Sequence, residues 1–113
     1  MMKTDLSKEK CIPCSIGTPP MEEEEIRELM PNINESWQLV KQMKIERTFK
    51  FKDFQTALDF VNEVGALAEE EGHHPDMELG WGRVKVTLLT HKIGGLSRSD
   101  FVLAAKIDEL FDK

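Results

Sequence analysis

The dipeptide His73-His74 stands immediately before Pro75, and the only other histidine, His91, lies eighteen positions beyond His73. Histidine's ordinary pKa, roughly 6.5, lets it take or release a proton near neutral pH. Three gathered in one short stretch therefore point to acid-base chemistry. Neighbours in a regular strand face opposite ways, which would separate His73 from His74. Gly72 before the pair and Pro75 after it favour an irregular corner instead, where two imidazoles can border one hollow from different angles.

A hairpin turning near Gly82 would bring His91 alongside that corner. His91 is nine positions after Gly82, and His73 and His74 are nine and eight before it, so all three fall at the hairpin's open end. Carboxylates lie within reach. Glu69, Glu70 and Glu71 occupy the preceding helical turn, where one could fix a histidine's tautomer, and Asp100 suits helix capping, a site role, or both. From the residues alone the cluster admits acid-base catalysis, surface or structural histidines, or a zinc ion on three imidazoles with an open fourth position. The adjacency of His73 and His74 lacks the i, i+4 spacing of common helical zinc motifs.

The elements that must position these residues are legible from periodicity. Residues 1–20, with Pro13, Gly17, Pro19 and Pro20, read as an arm on the surface whose loss should not unfold the domain over 21–113. Acidic residues from Glu22 open a short helix that Pro31 stops. Trp37 and Leu39, then Ile45, Arg47, Phe49 and Phe51, alternate with polar neighbours as a half-buried strand pair. Asp53 caps a helix with Phe54, Ala57, Leu58, Val61, Val64 and Ala68 on one face, ending at Glu71 before Gly72. Met77, Leu79 and Trp81, then Val84, Val86 and Leu88, form a second hairpin turning at Trp81-Gly82-Arg83. Gly94-Gly95 breaks the chain before Ser97, and a last helix aligns Phe101, Ala104, Ile107 and Phe111.

The predicted fold is α+β: a two-layer, four-stranded antiparallel sheet in a β-β-α-β-β-α core, with helices on one face and a short helix in front. The uncovered sheet face is a candidate for subunit pairing.

Composition narrows the partners. Hydrophobic residues at 40% and charged residues at 32% are ordinary globular usage. Apolar runs such as Phe101 to Ala105 fall far short of the roughly 20 residues that span a bilayer. The N-terminus has no apolar leader, so a cytoplasmic location is expected. Fifteen basic against 21 acidic residues, net −6, argue against direct nucleic-acid binding. Cys11-Ile12-Pro13-Cys14 has the spacing of a redox or metal pair but lies in the arm rather than at a strand-to-helix junction, and a zinc site there would need two more ligands.

The pattern Glu69-x-x-x-His73-His74-Pro75, with Trp81, Val84-x-Val86, Thr90-His91-x-x-x-Gly95-Leu96-x-x-x-Asp100 and Ala104, resembles the signature of the pterin-4a-carbinolamine dehydratase family. Phe49-x-Phe51-x-x-Phe54 and Phe60-Val61 extend the likeness from about Trp37 to Phe111. The resemblance implies loss of water from a 4a-hydroxytetrahydropterin to give quinonoid dihydropterin, in tetrahydrobiopterin recycling beside aromatic amino acid hydroxylases. It places His73, His74 and His91 around the reacting edge, with acid and base unassigned. It implies substrate-binding roles for Glu69, Pro75, Trp81, Thr90 and Asp100, no metal or organic cofactor, and a homodimer or homotetramer. Met77 stands where animal members have tryptophan, and Trp81 fills a tyrosine position. Animal relatives also stabilise dimers of a transcription factor, so a non-catalytic dimerisation or interaction scaffold is the alternative.

Overall fold

Period-two alternation becomes strand, and period-3.6 alternation becomes helix, across the computed structural model, which describes residues 6–12 and 17–112. Helix α1 spans Glu23–Leu29; strands β1 and β2 span Gln38–Val40 and Lys44–Lys50; α2 spans Phe54–Glu71; β3 and β4 span Asp76–Gly80 and Arg83–Leu88; α3 spans Arg98–Asp112. The four strands form one antiparallel sheet in the order β1-β2-β4-β3. The α+β architecture read from the sequence is thus the observed one.

One sheet face carries the core. Ile45, Phe49, Val84, Val86 and Leu88 are at most 1% exposed and pack against α2 and α3. Burying each such side chain contributes roughly 1.5–3 kcal/mol. Phe49, Phe51, Phe60 and Phe111 join in tilted and edge-on ring contacts with centroids 4.8 to 5.9 Å apart. The other face is polar: Lys85 lies between Glu46 and Glu78, at 3.5 and 3.9 Å. Subunits meeting there would join charged ladders, not an apolar surface.

Asp53 accepts from the Thr56 N–H at 2.8 Å and caps α2, which ends at Gly72 in the left-handed conformation (φ 69°). The buried stripe is Ala57, Phe60, Val64 and Ala68; Phe54, expected inside, is 44% exposed because it opens the first turn at the sheet's margin. Helix α1 ends at Leu29, ahead of Pro31 as expected, and Pro31 itself falls in the short turn that follows. This is a 3-10 turn, Met30–Asn32, near whose start the missing proline N–H costs little.

Trp37 precedes β1 and is buried, its indole N–H donating to Asp108 at 2.8 Å. Arg47 points inward from β2 to the same carboxylate at 2.5 Å. Burial pushes the Asp108 carboxyl up, against the opposing pull of the Asn34 N–H, Trp37 and Arg47.

The described part of the arm, residues 6–12, is seated on the domain. Leu6 begins a 3-10 turn and is 1% exposed, seated against α3. Cys11 is half-buried, whereas Cys14, and with it the Cys11-x-x-Cys14 pairing, lies outside the described residues. Among the described residues no helix is long and apolar enough to cross a membrane.

Candidate active site

The β3–β4 hairpin turns at Trp81-Gly82, with Gly82 at φ 68°, and its register sets Asp76 opposite Thr87. That register brings the corner after α2 beside the segment after β4. Thr90 then bridges to Gly95 across a 3-10 turn, His91–Ile93, closed by Gly94 at φ 67°. Gly72, His73, His74, Leu89, Thr90, His91 and Lys92 line one cavity of about 210 Å³. Larger hollows lie along Met30–Trp37 and between Phe51 and Phe111. Neither has a histidine in its lining, so acid-base chemistry selects the smaller one.

Each imidazole turns its Nε2 toward a carboxylate. His73 Nε2 stands 2.5 Å from Asp100 Oδ1, His74 Nε2 contacts Glu69 Oε2, and His91 Nε2 lies 3.5 Å from Asp76 Oδ2. An ionised carboxylate accepts from Nε2–H, which leaves Nδ1 to carry the lone pair of a neutral ring or the second proton of an imidazolium. The three pairs differ in solvent access. The His73 and Asp100 side chains are 15% and 0% exposed, against 59% and 78% for His74 and Glu69 and 70% and 65% for His91 and Asp76.

Asp100 serves both roles considered for it. Oδ1 meets His73, while Oδ2 accepts from the Ser97 N–H at 2.9 Å, capping α3, and from the Thr90 hydroxyl at 2.8 Å. Thr90 Oγ1 also stands 2.8 Å from Ser97 Oγ. Thr90 and Asp100 therefore hold His73 in place, and the buried Asp100 has no exposed surface to offer a substrate.

The structure brings together His73, His74, His91, Glu69, Thr90 and Asp100, with half-buried Pro75 at the corner. Trp81 is not among them. The hairpin that gathers the histidines at its open end carries Trp81, 72% exposed, at its closed end, about 17 Å of strand away. Asp76 and Lys92 were missed. The counting that located His91 would also have found Asp76, since it follows Pro75 and opens β3. Among the described residues no group of three or more His, Cys, Asp or Glu side chains is arranged to hold a metal ion.

The family described as Pterin 4 alpha carbinolamine dehydratase matches residues 19–110. A protein of Alkaliphilus metalliredigens, provisionally assigned as a pterin-4-alpha-carbinolamine dehydratase, is 55% identical over 105 residues, covering 93% of this chain and 95% of that protein. One from Rubrobacter xylanophilus, provisionally assigned likewise, is 49% identical over 107 residues, covering 95% and 99%. Among solved structures, a transcriptional coactivator/pterin dehydratase from Brucella melitensis superposes with a TM-score of 0.74 at 36% identity, covering 80% of this chain and 97% of that one. A pterin dehydratase-like protein identified as a RuBisCO assembly factor in the alpha-carboxysome gives a TM-score of 0.58 at 26% identity, covering 68% and 90%.

Proposed function

The chain belongs to the pterin 4 alpha carbinolamine dehydratase family, and on that premise we propose that it dehydrates a 4a-hydroxytetrahydropterin by histidine acid-base catalysis. The observation that carries this reading is the trio of imidazoles around one cavity, with His73 and His74 Nε2 hydrogen-bonded to carboxylates and His91 Nε2 facing a third at 3.5 Å. In the reaction the N5 lone pair forms a C4a=N5 double bond as the C4a–O bond breaks. An imidazolium gives its Nδ1 proton to the departing hydroxyl, which leaves as water, and a neutral imidazole takes the N5 proton at Nδ1. Quinonoid dihydropterin and water result, with no oxidant or reductant consumed. Both ring states are served, because each carboxylate orients a neutral ring and stabilises a charged one.

His73 has the best-fixed geometry of the three, while His74 and His91, open to water, can exchange protons with solvent between turnovers. The cytoplasm, a homodimer or homotetramer, and recycling of tetrahydropterin for aromatic amino acid hydroxylases complete this reading. Its test is the decay of a 4a-hydroxytetrahydropterin generated in situ, with and without purified protein. Acceleration without added metal is expected, with a loss of about 10²-fold or more in His73→Ala; decay no faster than in buffer would sink the reading.

The second reading, an interaction scaffold, draws on the structural relative that is an assembly factor and on the charged Glu46-Lys85-Glu78 ladder of the uncovered sheet face. A His73→Ala/His91→Ala double variant that keeps full biological activity would favour it.

A further inference from the structure

The contacts that tie residues 6–12 to the domain fall beside the two halves of the His73–Asp100 pair. The Cys11 N–H donates to Glu71 Oε1 at 3.0 Å, and Glu71 is the last residue of α2, two before His73. Ser99, directly before Asp100, is bound twice by Ile12: its Oγ accepts from the Ile12 N–H at 2.8 Å and donates to the Ile12 carbonyl at 2.9 Å. The Cys11 thiol lies 3.6 Å from the Ser99 carbonyl oxygen. Lys106 of α3 donates to the Ser7 carbonyl at 2.9 Å and pairs with Glu71 at 3.5 Å. Arg98 grips Glu9 through two bonds of 2.8 Å.

The same chain returns to the site frame a few residues later. The Met21 N–H donates to the Leu96 carbonyl at 2.8 Å, and Pro20 packs so closely on Gly95 that a Cβ there would come within 2.7 Å of it. Gly95 bridges to Thr90, which holds the second oxygen of Asp100.

His73 sits on an irregular corner, beyond the hydrogen-bond ladder of the sheet, and Asp100 in the first turn of α3. The separation of these two element ends sets the imidazole–carboxylate distance, and misplacements of about 1 Å are enough to cost catalysis roughly 10²-fold. We propose that the N-terminal segment is a positioning clamp for the His73–Asp100 pair, with Glu71 and Ser99 as the positioning residues through which it acts. The clamp rests on the dehydratase reading only for its effect on turnover; its effect on His73 is independent of substrate.

Cys11 supplies a direct readout of docking. Burial, with Glu71 adding to it, pushes the thiol up to about 12, so in the docked segment it is a poor nucleophile. Ser99→Ala, Glu71→Ala and Leu6→Glu are made in a Cys14→Ser background, which leaves Cys11 as the single thiol. Melting curves restrict the comparison to folded variants. Three quantities are read: maleimide labelling of Cys11, the ¹⁵N signals of the His73 ring without substrate, and kcat with KM. The expected result is labelling faster by about tenfold, displaced His73 ring signals, and kcat down roughly tenfold with KM changed less than about twofold; Ser99→Thr, which keeps the hydroxyl, restores all three. Faster labelling with unmoved ring signals and full kcat overturns the clamp, as does labelling that stays slow in every variant. If the parent protein itself fails to turn over the pterin, the dehydratase reading falls alone, and the ring signals still decide the clamp.

Discussion

His73 and Asp100 lie 27 positions apart in sequence and 2.5 Å apart in space, and Asp100 is the one wholly buried carboxylate of the three that meet a site histidine. Its two oxygens divide the work. Oδ2 satisfies the start of α3 and the Thr90 hydroxyl, and Oδ1 is left to accept from His73. A helix cap thus fixes the orientation of an imidazole.

Asp100→Asn separates these duties. Its amide oxygen can take over the Ser97 N–H and Thr90 contacts, but the amide nitrogen then faces Nε2 as a donor and forces the opposite tautomer on His73. The folded structure should survive with a small change in melting temperature, while kcat falls about 10²-fold or more. Parallel melting and turnover measurements check this. Equal losses of stability and activity would mean that Asp100 acts only as a cap.

Gly95→Ala tests the frame from outside the cavity. The new Cβ would meet the Pro20 ring carbons, the nearest at 2.7 Å, and the ring cannot swing aside as a flexible side chain would. Overpacking of this kind costs about 1–3 kcal/mol, and the displaced turn carries Thr90 and His91 with it. Both melting temperature and kcat should drop. A variant as stable and active as the parent would show that the turn relaxes freely.

Strand alternation, the Asp53 cap, the Gly72 stop and the two-residue turn at Trp81-Gly82 are local signals, so the sheet, α2 and the gathering of the histidines are legible in the order of residues alone. Partner assignment is not. Nothing in the sequence couples His73 to Asp100 rather than to Glu69, Glu70 or Glu71, because that choice depends on how the start of α3 approaches the end of α2. Trp37 and Arg47 read as strand residues, yet their positions are set by one buried carboxylate on α3, Asp108. The packing of Leu6 is hidden because a single apolar residue among polar ones has no periodicity to detect. Trp81 matches a motif position and stands, exposed, at the far end of the hairpin from the histidines.

Acid should release the N-terminal segment before the domain unfolds. The Arg98 guanidinium holds the Glu9 carboxyl below its ordinary value of 4.5, and the Cys11 N–H, with Lys106, does the same for Glu71. A depressed folded-state value means that docking is fully supported above the ordinary carboxylate range and loses support as pH falls through the lowered values. Amide exchange at Cys11 and Ile12, compared with Val84 and Val86 of β4, measures this. Protection at the first two should fail at higher pH than at the strand. Loss of all four together would indicate that the segment and domain are one cooperative unit.

Asp76 and His91 stand 3.5 Å apart with both side chains mostly exposed, which predicts a contribution of different size from that of Asp100. Water and counter-ions screen such a pair, and His91 keeps its place through the 3-10 turn whether or not the carboxylate is charged. Asp76→Asn should therefore lower kcat by less than about tenfold, whereas His91→Ala, which removes a proton carrier, should cost about 10²-fold or more. Salt discriminates further: at about 1 M, where screening acts over roughly 3 Å, the parent protein should approach the Asp76→Asn rate. A loss in Asp76→Asn as large as in His91→Ala, and insensitive to salt, would mean that Asp76 itself handles a proton in the reaction.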